Sequence, residues 1–338
     1  MPAPHDPVVD IADAHRVTLP SHPGRGTLTM SVHEVGSDAD PALPVVVFSH
    51  GFPELGYSWR YQLPAVAAAG FRAIAPDQRG YGGTDAPEAI EAYDLDCLCG
   101  DLDLLCEQLG IDRAVFVGHD WGGAVTWAMP ALRPQRVAGI VGICTPMMAL
   151  PTTDLLKSLV DGDIQRQYML WFQEPGVAEA AMEPHIGDLF HKLMVGGIPP
   201  ERVLERLEST GKVDMNPFRD LAALESMGEP IVSDAEIDRY VQTFRRTGLR
   251  GGVNWYRNMD RNVALYPGVA RSDPGVPCLM LAAEWDPALP PALSERMGDL
   301  IADLERHVIP RAGHWVQQEA PVEVNELLIG WLTRRFKA

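Results

Sequence analysis

Short apolar runs rich in Val, Ile, Ala and Phe recur along this chain, with stretches of helical periodicity between them. Such runs are typical of strands buried on both faces of a parallel sheet, and the intervening helices are typical of βαβ units. Residues Thr27 to Val35 instead alternate apolar and polar positions, which predicts an edge strand of a hairpin. The pattern therefore predicts an α/β fold with a mainly parallel central sheet. The predicted buried strands are Val45–Ser49, Phe71–Pro76, Ala114–Gly118, Val137–Cys144, Cys278–Ala283 and His307–Pro310.

One long segment interrupts this alternation. After Pro146 strand signals become scarce, and they resume only near Val276. We therefore expect a core domain of residues 1–147 and 268–338, into which residues 148–267 are inserted as a helical cap, or lid, domain. The segments with helical spacing in this insertion are Ile164–Phe172, Val203–Leu207 and Glu236–Thr247.

Composition and charge disfavour several partners. The 338-residue chain carries a formal net charge of -18. Phosphate backbones and anionic membranes are negatively charged and attract positively charged proteins, so they are disfavoured as partners. Its most apolar run, Val137 to Leu150, contains Pro146 and is shorter than the roughly 20 residues that a membrane-spanning helix needs. Residues Met1 to His15 lack a basic segment followed by an apolar one, so no secretory signal is expected. We expect a cytoplasmic protein with no nucleic-acid or membrane partner.

The five cysteines are too few and too irregularly spaced for a disulfide framework, so we expect reduced thiols. Cys97, Cys99 and Cys106 raise the alternative of a metal site. No histidine or fourth thiol completes a tetrahedral set, however, and the three lie in a segment of helical pattern. Neither a metal site nor a cofactor is therefore expected.

The candidate chemistry centres on a predicted strand, turn and helix. The strand ending at Gly118 runs into Gly118-His119-Asp120-Trp121-Gly122-Gly123, and a helical pattern follows. Glycines in this arrangement permit the sharp turn that lifts the middle side chain clear of the sheet, and the N-terminus of the following helix favours negative charge. Asp120 stands at the tip, so we expect it to be the nucleophile.

The aspartate at this tip, where many such turns have serine, decides the reaction class. A serine that attacked an sp³ carbon would leave an ether that water cannot cleave, whereas an aspartate forms an ester whose carbonyl water can attack. Asp120 therefore indicates displacement at carbon, on an epoxide or an alkyl halide. An aspartate that only suits the turn is the structural alternative.

Hydrolysis of such an ester needs a base for water and a carboxylate that orients the base. His314 follows the last predicted strand, and Asp286 follows the strand before it, so nucleophile, acid and histidine have the chain order of α/β-hydrolases. Glu284 competes with Asp286 for the acid role. We favour Asp286 because it lies in the loop, where side-chain direction is less constrained. A core histidine and a turn-opening aspartate are the structural alternatives.

The tetrahedral intermediate needs hydrogen-bond donors for its oxyanion, and we expect backbone N–H groups to supply them. One is that of Trp121, directly after the nucleophile, and the other is that of Phe52, after strand Val45–Ser49. Pro53 would stiffen this loop, with a cis peptide bond as one way of doing so. His50 is expected to have a structural role.

These motifs together resemble the epoxide hydrolase family, most closely the hydrolase domain of the soluble epoxide hydrolases. The resemblance extends from about residue 27 to the C-terminus. It implies the α/β-hydrolase fold with a helical cap, and the conversion of an epoxide and water to a vicinal diol. The matching core motifs are His50-Gly51-Phe52-Pro53-Glu54, Asp77-Gln78-Arg79-Gly80-Tyr81-Gly82, Gly118-His119-Asp120-Trp121-Gly122-Gly123 and Gly313-His314-Trp315; those of the insertion are Tyr168-Met169-Leu170-Trp171-Phe172-Gln173-Glu174-Pro175-Gly176 and Asn254-Trp255-Tyr256-Arg257-Asn258.

In that family two cap tyrosines donate hydrogen bonds to the epoxide oxygen, and the resemblance places them at Tyr168 and Tyr256. Ring opening leaves an alkoxide, which a phenol of pKa about 10 can bind and partly protonate. Taken singly, either tyrosine would more often be a packing residue. The oligomeric state is left open, a homodimer included. The aromatic residues expected to contact the substrate, a small-molecule epoxide, are Phe52, Trp121, Trp171 and Trp255.

Rival functions fit the sequence less well. A haloalkane dehalogenase shares the aspartate and the following tryptophan, but its second halide donor, commonly an asparagine, would stand where Phe52 does. A fluoroacetate dehalogenase would need arginines near the nucleophile, and residues 121–127 contain none. The absence of any G-x-S-x-G disfavours a serine esterase. A non-catalytic binding protein of the same fold is a further alternative, although every expected catalytic residue is present.

Overall fold

The computed structural model describes residues 11, 13–22, 26–209 and 214–337. The strands of these residues are β1 His15–His22, β2 Gly26–Val35, β3 Val45–Ser49, β4 Ala73–Pro76, β5 Ala114–His119, β6 Val137–Ile143, β7 Val195–Gly196, β8 Glu229–Pro230, β9 Cys278–Ala283 and β10 Leu304–Ile309. Eight of these described strands form one sheet in the order β1-β2-β4-β3-β5-β6-β9-β10. β2 pairs antiparallel with β1 and β4, and the later neighbours pair parallel. The prediction of an α/β fold with a mainly parallel sheet is confirmed.

Helices cover this sheet. α3 packs against β5 and β6, and α2 packs against α3 and β1. β5 and β9 are consequently buried along their whole length, which explains their continuous apolar sequences. The helices of the described residues are α1 Gln62–Ala68, α2 Leu95–Gln108, α3 Trp121–Leu132, α4 Thr153–Leu159, α5 Tyr168–Trp171, α6 Val177–Met182, α7 Ile186–Leu193, α8 Pro200–Ser209, α9 Asp234–Thr247, α10 Arg250–Arg257, α11 Met259–Leu265, α12 Val316–Glu319 and α13 Pro321–Phe336.

The edges of the sheet differ from the sequence prediction. β1 was not predicted, and because it pairs outside β2, the strand predicted at Thr27–Val35 is second from the edge. At the other edge, β10 begins three residues before the predicted His307. Side chains of both outer strands are largely exposed or only partly buried, so neither strand needs an apolar sequence.

The residues between β6 and β9 are mainly helical, and the short strands β7 and β8, which lie on either side of α8 in the sequence, form an antiparallel pair. The helix predicted at Ile164–Phe172 is divided into a 3₁₀ turn, Ile164–Arg166, and α5. Gln167 separates them because it is extended, and its side chain accepts a hydrogen bond from the Met169 N–H at 2.6 Å. The division into a core and a cap at residues 148 and 267 stays a prediction.

No helix among the described residues is long and apolar enough to cross a membrane. Residues 1–10, on which most of the expectation about a secretory signal depends, lie outside the described residues. All five cysteines fall within the described part of the chain, where each is buried and none forms a disulfide bond. Cys97, Cys99 and Cys106 lie in α2, as the helical pattern predicted.

Candidate active site

The predicted site residues of the core follow the carboxyl ends of parallel strands. Phe52 follows β3, Asp120 follows β5, Asp286 follows β9 and His314 follows β10. Parallel strands place these ends along one edge of the sheet, where loops from distant parts of the sequence meet. The fold therefore brings four residues that are far apart in the chain into one cluster.

A strained turn presents Asp120. β5 ends at His119 and α3 begins at Trp121, so Asp120 alone joins them, with φ 50° and ψ -124°. This backbone region is unfavourable for a residue with a Cβ and persists only where the surroundings hold it. A Cβ on Gly122 would lie 2.0 Å from the Ser49 carbonyl oxygen, so the turn requires glycine there. The sharp turn predicted from the glycines is present.

The loop after β3 contacts the Asp120 carboxylate directly. The Phe52 N–H donates to Asp120 Oδ1 at 2.8 Å. A Cβ on Gly51 would lie 2.3 Å from the Asp120 Cβ, so only glycine allows this approach. The Phe52–Pro53 peptide bond is cis. Trp121 is the first residue of α3, and its expected role as the second donor stays a prediction.

His50 belongs to the same loop, and its ring contacts backbone groups. Its Nδ1 is 2.9 Å from the Gly51 carbonyl oxygen, and its Nε2 accepts from the Gln78 N–H at 3.0 Å. Both ring nitrogens therefore hold backbone, which agrees with the structural role expected for this histidine.

His314 stands between two carboxylates. Its Nδ1 is 2.9 Å from Asp286 Oδ2, and its Nε2 is 3.7 Å from Asp120 Oδ2. Asp286 is buried, and its Oδ1 accepts from the N–H groups of Ala288 and Leu289 at 2.8 and 2.9 Å. These contacts fix the carboxylate on the ring, so the structure favours Asp286 over the competing Glu284.

Glu284 points elsewhere. Its side chain is exposed, and Oε2 accepts from the Arg311 N–H at 2.7 Å. The strand β9 ends at Ala283, so the regular alternation that could have turned Glu284 and Asp286 to one face does not continue.

The charges of His314 and Asp286 stabilise each other. Burial raises the pKa of Asp286, but the His314 cation and its hydrogen bond outweigh burial and lower the pKa to about 2. Burial lowers the pKa of His314, but the carboxylates of Asp286 and Asp120 outweigh burial and raise it to about 9. At neutral pH the site therefore holds an imidazolium between two carboxylates.

A buried carboxylate that the sequence analysis did not single out supports these loops. Glu54 Oε2 is 2.7 Å from His119 Nδ1 and accepts from the Gly51 N–H at 3.0 Å. His119 Nε2 lies 2.7 Å from the His314 carbonyl oxygen. Burial raises the pKa of Glu54, but His119 outweighs burial and lowers it to about 2. Glu54 closes the first core motif, and an acidic residue in so apolar a loop was the available signal.

One group of potential metal ligands lies in the described part of the chain. The ligand atoms of His119, Cys144 and His314 lie within 4.8 Å of one another. Cys144 Sγ donates to the His314 carbonyl oxygen at 3.4 Å, beside His119 Nε2. These contacts hold the histidine backbone, and three ligands fall short of the four that structural zinc sites use.

Tyr168 and Tyr256 lie together above this cluster. Tyr168 begins α5 and Tyr256 lies in α10. Their ring centroids are 5.6 Å apart, and each hydroxyl affects the pKa of the other. Burial raises the pKa of both phenols, and the negative charge of Asp120 raises it further, so both stay protonated donors at neutral pH.

Aromatic rings surround the tyrosines. The Tyr256 ring centroid is 5.1 Å from that of Trp121, 5.4 Å from Phe52 and 5.0 Å from Phe172. Phe218 lies 5.3 Å from Tyr168 and 5.9 Å from Phe52. Neither Phe172 nor Phe218 was expected from the sequence to have a role in the site. Phe172 belongs to a recognised motif, whereas Phe218 carries no local signal.

Trp171 and Trp255, which are expected to contact the substrate, pack against other aromatic residues of the site. Trp171 is buried, and its ring centroid is 5.8 Å from Phe172. Trp255 is fully buried, and its Nε1 donates to the Arg79 carbonyl oxygen at 3.1 Å while its ring lies 6.1 Å from Trp121. These contacts make Trp255 an anchor between α10 and the sheet.

Several known proteins are similar to this chain. A family model described as the alpha/beta hydrolase fold matches residues 44–321. Epoxide hydrolase A of Mycobacterium tuberculosis is 41% identical over 305 residues, which cover 87% of this chain and 92% of that protein. Bifunctional epoxide hydrolase 2 of Sus scrofa is 38% identical over 296 residues, covering 86% of this chain but only 51% of that longer protein.

A solved structure shows the same relationship. The crystal structure of Epoxide Hydrolase A from Mycobacterium thermoresistibile matches with a TM-score of 0.82 and 38% sequence identity. The match covers 94% of this chain and 98% of that one, so it includes the inserted helices as well as the sheet.

Proposed function

Because this chain belongs to the epoxide hydrolases of the α/β-hydrolase fold, we propose that it converts epoxides and water to vicinal diols through an ester on Asp120. The observation that carries the proposal is the placement of Asp120. One carboxylate oxygen accepts from the Phe52 N–H, the other faces His314 Nε2 at 3.7 Å, and the paired phenols of Tyr168 and Tyr256 lie above.

The first step is displacement at an oxirane carbon. Asp120 Oδ2 attacks because Oδ1 is already held by the Phe52 N–H. The carbon–oxygen bond of the ring breaks, and its electron pair goes to the epoxide oxygen. Tyr168 and Tyr256 donate hydrogen bonds to that oxygen, and one of them gives it a proton. The product of this step is a neutral ester on Asp120.

Ester formation changes the charge around His314. Asp120, one of the carboxylates that raise its pKa, is then neutral, so the pKa of His314 falls and the imidazolium releases its proton to restore the tyrosine. Neutral His314, oriented by Asp286, takes a proton from water, whose oxygen adds to the ester carbonyl. The Phe52 and Trp121 N–H groups bind the oxyanion. On collapse the bond between the acyl carbon and the substrate oxygen breaks, and that oxygen takes the proton of the added hydroxyl. The diol leaves, the Asp120 carboxylate is regenerated, and His314 is again the cation that it became when it deprotonated water.

The inserted helices act as a cap in this proposal. Tyr168 and Tyr256 both come from residues 148–267, and Tyr256 packs on Trp121 and Phe52, which flank Asp120 and hold its carboxylate. The rings of Phe52, Phe172 and Phe218 pack around them, so the neighbourhood of the reacting carbon is largely apolar. This lining supports an uncharged epoxide as substrate, with Trp171 and Trp255 as supports of the wall.

A matched panel of substrates tests the proposed function. With styrene oxide and a homologous series of epoxides, we expect diol formation that is lost in Asp120→Ala. With chloro- and bromoalkanes of similar size, we expect no halide release, because a phenol pair suits an alkoxide and Phe52 supplies no side-chain halide donor. Chromatography of the diol and a halide electrode measure the two outcomes. Halide release without diol formation would assign the protein to the dehalogenases instead.

The two candidate acids give a second prediction. Asp286→Asn is expected to slow hydrolysis of the ester by about 10²-fold or more, because the amide neither stabilises the His314 cation nor fixes its tautomer. Formation of the ester should change much less. Rapid-quench measurement of both rate constants with styrene oxide checks this. Glu284→Gln, a matched change two residues away, should leave both constants at the wild-type values; a larger effect at Glu284 would reverse the assignment.

A further inference from the structure

The residues that carry the catalytic histidine also bind the inserted helices. We call residues 313–319 the histidine segment; it contains His314 and α12. Trp315 Nε1 donates to the Leu193 carbonyl oxygen at 2.6 Å, at the end of α7. Gln318 Oε1 accepts from the Tyr240 hydroxyl of α9 at 3.3 Å. The histidine segment is thus tied to residues 148–267 by several contacts that involve neither Tyr168 nor Tyr256.

Glu319 makes the most direct of these connections. Its Oε2 accepts from the Gly313 N–H at 2.7 Å, beside His314, and its Oε1 accepts from the Gly197 N–H at 2.8 Å, beside β7. A Cβ on Gly196 would lie 2.5 Å from the Glu319 Cδ, so β7 packs closely against the carboxylate. One side chain therefore bridges the backbone before the base to the inserted segment.

The tyrosines are held by other contacts. Gln173 Nε2 donates to the Tyr256 carbonyl oxygen at 3.0 Å, and Arg257 pairs with Glu179 at 2.7 Å, which joins α10 to the residues around α5. The Trp255 Nε1 bond to Arg79 fixes α10 on the core. Loss of the Glu319 bridge consequently removes a support of His314 without removing a support of the tyrosine pair.

We propose that Glu319 is a positioning residue that holds His314 in the geometry needed to activate water, and that it does so by bridging Gly313 to Gly197, the residue that follows β7. This inference rests on the proposed function. Because His314 acts as base only after the ester forms, the bridge serves the second step. A displacement of about 1 Å at a reacting group can cost about 10²-fold in rate, which sets the scale of the effect.

Two variants and one control test the bridge. Glu319→Ala removes both acceptors. Glu319→Gln keeps the size but leaves one amide oxygen for two N–H donors, so its effect should be intermediate. Glu284→Gln is the matched control, because Glu284 also accepts a backbone N–H, from Arg311, but faces solvent. Thermal melting of each variant reports on the fold, and Glu319→Gln carries the test if Glu319→Ala does not fold.

The measurement is a single turnover of styrene oxide with separate rate constants for ester formation and ester hydrolysis. We expect Glu319→Ala to slow hydrolysis by about 10- to 100-fold while ester formation stays within about two-fold, so that ester accumulates on Asp120. Equal loss in both steps, or loss confined to ester formation, would overturn the proposal and indicate a general structural role. Unchanged constants in both Glu319 variants would overturn it as well.

Failure of the proposed function can be distinguished from failure of the inference about Glu319. A wild-type protein that forms neither ester nor diol from any epoxide would overturn the function and the inference together. If the wild type converts epoxides normally and the Glu319 variants hydrolyse the ester at the wild-type rate, the inference about Glu319 alone is overturned.

Discussion

His314→Gln is expected to leave this protein with one substrate mass covalently bound to Asp120 after incubation with an epoxide. The nucleophile, the Phe52 N–H and the tyrosines are intact in this variant, so the ester still forms. Hydrolysis should fall by about 10²- to 10⁴-fold, the usual contribution of a general base. Intact-protein mass spectrometry measures the added mass, and peptide mapping locates it.

The alternative mechanism predicts the opposite result. If His314 directed water straight onto the oxirane, its removal would stop all chemistry and leave the protein without an adduct. Asp120→Ala in the same His314→Gln background is the matched control, and it should show no added mass. An unmodified His314→Gln protein, under conditions where the wild type forms diol, would contradict the ester and support direct hydrolysis.

Tyr168→Phe together with Tyr256→Phe is expected to abolish nearly all ring opening. Each hydroxyl binds the developing alkoxide, and loss of one such donor costs about 3 kcal/mol in the barrier. Each single variant should therefore slow ester formation by roughly 10²-fold, and the double variant far more. Rapid-quench measurement of ester formation checks this. Wild-type rates in both single variants would exclude the pair from the mechanism.

Stability provides an internal control for the tyrosine pair. The two hydroxyls interact with each other, so a single replacement leaves the remaining hydroxyl without that partner in an apolar surrounding. A buried hydroxyl that has lost its partner typically lowers the free energy of unfolding by about 1–3 kcal/mol, whereas removal of both hydroxyls is closer to neutral. The double variant is thus expected to melt no lower than the less stable single variant. An inactive double variant that keeps its melting temperature separates loss of chemistry from loss of fold.

The sharp turn at Asp120 was predictable from the sequence because its determinants are local. Gly118 to Gly123 specify the turn by close approach and backbone conformation, which are encoded within a few residues. Strands such as β5 and β9 were readable because burial on both faces demands apolar side chains throughout. β1 was not, because an edge strand is held by backbone hydrogen bonds that carry no side-chain signature.

Other features were decided by tertiary structure alone. Asp286 and Glu284 are two residues apart, and the sequence admits either as the partner of His314; the end of β9 at Ala283 sets which one reaches the ring. Phe218 approaches the tyrosines from a part of the chain with no recognisable motif. Glu319 matters through Gly197, a residue more than a hundred positions away, whose N–H it accepts. The sequence by itself thus determined the sharp turn at Asp120 and the buried strands, since these depend on residues close together in the chain. Packing decided which distant side chains support them, because a contact between remote residues depends on how every intervening element folds.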